Sequence, residues 1–249
     1  MGISGRNAVV TGGASGIGRA IALRLAQDGV DVALIDLDAS RAEVVAGEIR
    51  ALGRRALAVE ADVAQAASIE AARERVHDAV GPVRVLVNDA GIASFVPFLE
   101  IGEEAWDRMI AVHLKGAFNC ARAFLPDMVA AHWGRIVNLS SVAGLGGGGP
   151  GLVHYAAAKA GLIGFSKALA LEVGPLGITV NAIAPGLVDT PLLDRSGMPE
   201  EIRRAVVERA PVRRIGTPED IAAACAYLVS EEASFTTGQV LSPNGGGYV

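Results

Sequence analysis

The chain has 249 residues, 51% of them hydrophobic, with a formal net charge of -5 at pH 7, so it can bury a sizeable core as one large α/β domain or two small ones. The acidic balance and the lack of a Lys/Arg-rich tract, short pairs such as Arg213-Arg214 apart, argue against nucleic acid or an anionic membrane as partner and leave a small molecule. No apolar run approaches the roughly 20 residues that span a bilayer, and Met1 to Asn7 shows no apolar h-region, so a soluble cytoplasmic protein is expected.

Residues 7–11 predict a short buried strand, followed by Gly12-Gly13-Ala14-Ser15-Gly16-Ile17-Gly18 and an amphipathic helix over 19–28. In a strand, glycine turn and helix, the glycines let the backbone approach a pyrophosphate and the free N–H groups at the helix start favour its charge. The spacing of Gly12, Gly16 and Gly18 is TGxxxGxG, by itself a weak signal because Gly-rich turns are common. A second buried strand over 31–36 ends on Asp36, about twenty residues past the turn, where a dinucleotide-binding βαβ unit places its ribose-reading carboxylate. Such a carboxylate repels a 2′-phosphate. Asp36, with Ser15 rather than a basic residue in the loop, therefore points to NAD over NADP; the competing reading of Asp36 is an ordinary turn residue.

Alternation continues with a helix over 39–52, a strand over 56–60 with Asp62-Val63 at its end, a helix over 66–80 and a strand over 83–88. Continuous apolar strands between helices predict a parallel sheet covered on both faces, with ligands at its carboxyl edge. Asn88-Asp89-Ala90-Gly91 falls on that edge, where small residues leave room for a cofactor, and a role of Asn88 in tying adjacent strands together is compatible with that. A long helical region over 103–131 carries Trp106, Met109, Phe118 and Phe124 as packing residues. Cys120 and Cys225 both lie in apolar helical patterns without ligand spacing, so they are read as core, with no metal and no disulfide.

A fifth strand over 135–139 delivers Ser140 and Ser141 to the same edge, and residues 144–151, with Gly146 to Gly149, predict a loop of little intrinsic order. That loop is either a pocket wall or a permissive insertion. In a helix over 155–173, Tyr155 and Lys159 are four apart and share a face. Free Tyr titrates near 10, and lowering it by about 3 units takes about 4 kcal/mol of preferential phenolate stabilisation, which a Lys cation and a cationic cofactor can supply together. Tyr155 is thus a candidate general acid/base, against the plainer reading of a surface Tyr and a solvated Lys. A sixth strand over 178–183, a Pro/Gly loop over 184–191, a mixed stretch with a helix over 199–209, a helix over 218–230 and a strand over 238–242 complete the chain. Residues 190–214 are the candidate substrate lid, and without a linker or repeat one domain over 1–249 is the economical account.

Taken together, the segments resemble the short-chain dehydrogenase/reductase family over nearly the whole chain. The residues Thr11 to Gly18, Asn88 to Gly91, Ser141, Tyr155 with Lys159, and Pro185-Gly186 fall in the family's order. Within the family the chain is similar to 3-oxoacyl-acyl-carrier-protein reductases and bacterial NAD-dependent secondary-alcohol dehydrogenases. The resemblance implies a Rossmann-type doubly wound sheet of about seven parallel strands and hydride transfer between a nicotinamide and a carbonyl or secondary alcohol. It also implies that Tyr155 exchanges the proton with the substrate oxygen, Ser141 hydrogen-bonds that oxygen, and Lys159 holds the nicotinamide ribose while lowering the Tyr pKa. Cofactor positions carry over to Gly12, Ser15, Gly16, Ile17, Gly18 and Asp36, to Asp62 and Val63 near adenine, and to Asn88, Ala90 and Gly91. They carry over further to Pro185, Gly186, the backbone of Val188, and Thr190.

The chain departs from the family pattern in four respects. His113 stands where most members have an Asn that holds a backbone kink and a relay water; it either keeps that role or is a packed core residue. Asp89 replaces the second Asn of NNAG and is expected to be tolerated. Ser141 precedes Tyr155 by one residue more than is common, leaving Ser140 as second candidate. Asp36 fits poorly with an NADPH-linked reductase. The expected function is therefore an NAD-dependent, catabolic alcohol or hydroxyacyl dehydrogenase, with an NADPH-dependent 3-oxoacyl-acyl-carrier-protein reductase as alternative and a non-catalytic nucleotide-binding protein as the contrasting class. A homotetramer packed through small, apolar helix faces around Ala111 to Ala123 and Ala156 to Leu171 is expected.

Overall fold

The computed structural model describes residues 2–248. Seven strands, β1 (Asn7–Thr11), β2 (Asp31–Asp36), β3 (Ala56–Glu60), β4 (Val85–Asn88), β5 (Gly134–Leu139), β6 (Ile178–Ile183) and β7 (Val240–Leu241), pair in parallel in the order β3-β2-β1-β4-β5-β6-β7. The order reverses between β1 and β4, which opens a crevice at their carboxyl ends, the usual ligand position of an open α/β sheet. Thr11 is in register with Asn88 and Asn88 with Asn138, so three strands end level beside that crevice.

The helices are α1 (Gly16–Gln27), α2 (Ala39–Ala51), α3 (Ala66–Val80), α4 (Glu103–Ile110), α5 (Gly116–Ala131), α6 (Val142–Gly146), α7 (Val153–Val173), α8 (Pro191–Arg195), α9 (Glu200–Arg209) and α10 (Pro218–Val229). Because side chains alternate across a strand, Val10 and Leu34 pack on one face with Leu25, Ile49 and Leu228, while Val9 and Ile35 pack on the other with Val76, Phe124 and Val173. Helices α1, α2 and α10 thus cover one face and α3, α5 and α7 the other. This is the doubly wound parallel sheet expected from the alternation of segments.

Several elements differ from the sequence reading. The first helix starts at Gly16, not at residue 19, because Ser15 is extended and acts as its N-cap residue. The helix expected over 103–131 is divided by a π-helical turn at Ala111–Lys115. The stretch expected to be loop from Gly144 begins inside α6, whose Gly144 abuts α7: a Cβ there would lie 2.7 Å from the Lys159 carbonyl carbon. The final strand shrinks to two residues, because Gly238 has φ +67° and the Gln239 N–H is taken by the Asn181 side chain.

Cys120 and Cys225 are free and buried, and burial pushes both thiols up, Cys120 to about 12. Among the described residues, no helix is long and apolar enough to cross a membrane, and no His/Cys/Asp/Glu group could hold a metal ion.

Candidate active site

Two adjoining cavities lie along the carboxyl edge of the sheet. The first, about 210 Å³, is bordered by the glycine turn, Asp36, Asp62 and Val63; the second, about 260 Å³, is bordered by Ser141, Tyr155, Lys159 and apolar side chains such as Phe95, Leu187 and Met198. Ile17, Asp89, Gly91, Thr190 and Leu192 border both, so the two form one trough long enough for an extended ligand.

The first cavity is shaped for a nucleotide. Gly12 takes φ +69°, and a Cβ there would lie 3.0 Å from Ala90 N and Cα; Gly16 takes φ +54° at the start of α1. Ser15 makes no side-chain cap bond, which leaves first-turn N–H groups of α1 available to an anion. Asp36 is fixed by two backbone donors, Ala14 N–H to Oδ2 at 3.0 Å and Asp38 N–H to Oδ1 at 3.0 Å, while its carboxylate still borders the cavity. These residues fit a dinucleotide.

In the second cavity Tyr155 and Ser141 line the same wall, and Ser141 pulls the Tyr155 phenol down. Lys159 is buried, donates to the Leu139 carbonyl at 2.6 Å, and holds Nζ 5.6 Å from the Tyr155 ring centroid. Burial governs both groups: the Tyr155 phenol is pushed up to about 12, against the pull of Ser141, and the Lys159 ammonium is pushed down. The lowered phenol expected from Lys159 is therefore not a property of the protein alone. Desolvation outweighs a single cation whose Nζ is spent on a carbonyl.

A phenol, a hydroxyl and an ammonium on one cavity wall beside a nucleotide cavity serve proton exchange with an alcohol or carbonyl oxygen, and the comparisons agree. The family described as enoyl-(acyl carrier protein) reductase matches residues 12–247. The chain is a short-chain dehydrogenase/reductase. It is 41% identical over 246 residues, 99% of the chain and 98% of the relative, to the (2S)-[(R)-hydroxy(phenyl)methyl]succinyl-CoA dehydrogenase subunit BbsD of Thauera aromatica. It is 40% identical over 245 residues, 98% of each chain, to the 3-oxoacyl-acyl-carrier-protein reductase FabG of Staphylococcus aureus, and 41% identical over the same span and coverage to nodulation protein G of Azospirillum brasilense. The chain is accordingly an oxidoreductase acting on CH-OH or C=O groups.

Most positions carried over from the family line this trough, in different ways. Ser140 and Ser141 both border the second cavity, but Ser140 spends its hydroxyl on the Lys159 carbonyl at 2.8 Å, while Ser141 Oγ accepts from Ala143 N–H at 3.1 Å as the cap of α6. Asn88 donates to Asn138 Oδ1 at 2.8 Å and Asn138 to Ser166 Oγ at 2.8 Å, so its side chain ties β4 to β5 and α7. Asn88 borders neither of these two cavities, and its contacts are those of a strand tie, which is compatible with a cofactor beside it. Asp62 pairs with Arg108 at 3.1 Å beside the first cavity. Pro185 accepts from Val142 N–H at 3.0 Å, and Gly186 passes so close to Asn244 that a Cβ would sit 2.9 Å from its Cα. Val188 is buried and bridges Gly216, and Thr190 caps α8.

His113 sits in the π turn, buried, with Nε2 2.8 Å from the Ile92 carbonyl and its ring edge-on to Tyr155 at 5.6 Å. Burial holds it well below the usual imidazole range; Nε2 also lies 3.2 Å from the Ile92 amide nitrogen, and Nδ1 is buried without a protein partner. Gly91 makes room for it, since a Cβ at Gly91 would meet His113 Cε1 at 2.4 Å. Residues the sequence did not single out include Arg108, Asn138, Asn244 and the apolar lining from Phe95, Met198, Ile202 and Val206. The four-glycine run supplies Gly148 and Gly149 to the wall of the second cavity, which decides between the two readings of that loop.

Proposed function

We propose that this enzyme is an NAD(H)-dependent dehydrogenase of secondary alcohols or hydroxyacyl compounds, with Tyr155 as general acid/base. The observation that carries it is Asp36, whose carboxylate is aimed and held by the Ala14 and Asp38 amides at the nucleotide cavity. Carboxylate oxygens accept bonds from ribose hydroxyls and repel a 2′-phosphate. Leu37 and Asp38 follow it, and the next cation, Arg41, is paired with Asp38 at 3.3 Å.

A bound nicotinamide supplies the hydride acceptor or donor. The glycine turn from Gly12 to Gly18 and the start of α1 bind the diphosphate, Asp62 and Val63 flank adenine, and Val188, Thr190 and the Pro185-Gly186 turn hold the carboxamide end. In oxidation Tyr155 receives the hydroxyl proton of the substrate; in reduction it returns it. Ser141 orients the reacting oxygen, Lys159 holds ribose, and His113 offers Nδ1 to a relay water. One domain spans the chain, with residues 190–214 as a lid over an apolar pocket, four copies assemble, and the enzyme works in the cytoplasm. The name of the Thauera relative, a dehydrogenase of a phenyl-bearing hydroxyacyl thioester, supports oxidation of such compounds in a pocket of this kind.

The alternative is an NADPH-dependent 3-oxoacyl-acyl-carrier-protein reductase, favoured by the printed name of the Staphylococcus relative. Fluorescence titration of NADH and NADPH against the parent and Asp36→Ala separates the two. Strong NADH preference that collapses in the variant is expected; equal or tighter NADPH binding by the parent makes the reductase the better reading.

A further inference from the structure

Asp89 is the acidic side chain that borders the catalytic cavity, where the other titratable lining groups are His113, Tyr155 and Lys159. Its position is fixed. Its own N–H donates to Thr11 Oγ1 at 3.1 Å, and its carboxylate lies against the backbone of Gly18 in the first turn of α1. The third glycine of the TGxxxGxG turn is what lets it in, because a Cβ at Gly18 would lie 2.8 Å from Asp89 Oδ2 and 2.3 Å from the Gly12 carbonyl oxygen. Asp89 also borders the nucleotide cavity, so it stands where the two ends of the trough meet.

A fixed carboxylate acts on its neighbours with a definite sign. It disfavours a phenolate and favours an ammonium, so it raises the titrations of both Tyr155 and Lys159, and both feel it here. Tyr155 and Lys159 from α7 share the catalytic cavity with Asp89, Asp36 from the end of β2 shares the nucleotide cavity with it, His113 on the π turn lies edge-on to Tyr155, and the Cys225 thiol of α10 is raised by the Asp89 charge. Burial keeps His113 neutral and Cys225 a thiol, and it raises Asp89 well above the usual carboxylate range, so Asp89 acts as a charge on the alkaline side, where Lys159 and Tyr155 titrate. Burial and Asp36 push the Asp89 carboxyl up, while Lys159 and the Gly18 amide pull it down.

We propose that Asp89 is a positioning residue that sets the working pH of the Tyr155–Lys159 pair, keeping Tyr155 a phenol and Lys159 an ammonium to higher pH than a neutral amide at the same place would. The proposal rests on the acid/base reading of Tyr155. It goes beyond that reading in giving this chain, with Asp where the family has Asn, an alkaline-displaced oxidation profile.

The test is Asp89→Asn, which keeps size and one acceptor for the Gly18 amide while removing the charge. Lys115, Lys159 and Lys167 are the chain's lysines, so a 13Cε-lysine NMR titration is sparse enough to follow Lys159 directly, with Lys159→Arg for assignment. The expected result is a Lys159 midpoint lower by on the order of one pH unit. The acidic limb of alcohol oxidation should move the same way. A Lys159 midpoint unmoved in a variant with parental far-UV dichroism overturns the proposal. A lowered midpoint supports it even where the parent turns over no secondary alcohol, an outcome that counts against the proposed function instead.

Discussion

Tyr155 carries its hydroxyl in a setting that opposes ionisation, so removing that hydroxyl should abolish chemistry without disturbing the trough. Tyr155→Phe is expected to lower kcat/KM by about 10²- to 10⁴-fold and leave the NADH dissociation constant unchanged. Retained turnover would exclude it as the proton donor. Gly91 and His113 form a second coupled pair. Gly91→Ala drives a methyl to 2.4 Å from the imidazole and should cost about 1–3 kcal/mol in urea unfolding, while Gly91→Ala with His113→Ala should cost clearly less than the sum of the single changes. Strict additivity would mean that the backbone, not the imidazole, absorbs the methyl. Residue identity at these sites was legible in part. The four-residue spacing of Tyr155 and Lys159 placed both on one helix face, but only the fold shows that, of two serines on the same cavity wall, Ser140 spends its hydroxyl on the Lys159 carbonyl while Ser141 caps α6. The charge of Asp89 was legible and its neighbours were not, since they come from β2, α7 and α10.

The long helical region after β4 shows what periodicity misses at the scale of an element. A π turn adds one residue to a helical turn, so the apolar pattern continues with only a phase shift, and residues 103–131 read as one helix. The inserted turn rotates His113 toward Ile92 and Tyr155, where a regular helix would present a different face. Glycine patterning misleads in the opposite direction: Gly144 and Gly146 suggest disorder, yet α6 forms there, with Gly144 packed against the α7 backbone and Gly146 against the Tyr248 ring, where a larger side chain would not fit. Termini with strong local chemistry are plainer. Helix α10 begins with a capping box in which Thr217 Oγ1 accepts from Asp220 N–H at 3.3 Å and Asp220 Oδ2 accepts from Thr217 N–H at 2.8 Å. Thr217→Ala should destabilise the protein by about 1 kcal/mol in urea unfolding while leaving kcat unchanged. A loss of activity larger than the loss of stability would show that α10 also steers the second cavity.

At the scale of the whole molecule, the sheet order could be anticipated because strands that are continuous apolar runs must be covered by helices on both faces, and right-handed crossovers leave few ways to do it. What covers the outer faces of those helices is a separate question. Leu171 on α7 is 83% exposed and Phe235 is fully exposed, with Tyr227 of α10 beside it through a contact to Thr236 at 3.3 Å. Gly238 brings this patch together, since a Cβ there would touch Ala170 at 3.6 Å. Exposed apolar side chains gathered on one side of a chain mark a surface that another molecule covers, and a two-fold axis lets one such patch cover its own copy. For the proposed tetramer, sedimentation equilibrium should give a mass of four 25.5 kDa chains for the parent and a smaller species for Leu171→Asp, because a carboxylate buried in a subunit contact without a partner is costly. A parent that sediments as a monomer overturns the tetramer. A variant that stays tetrameric with parental stability moves the contact away from the Leu171–Phe235 patch and onto the α5 face that exposes Phe118.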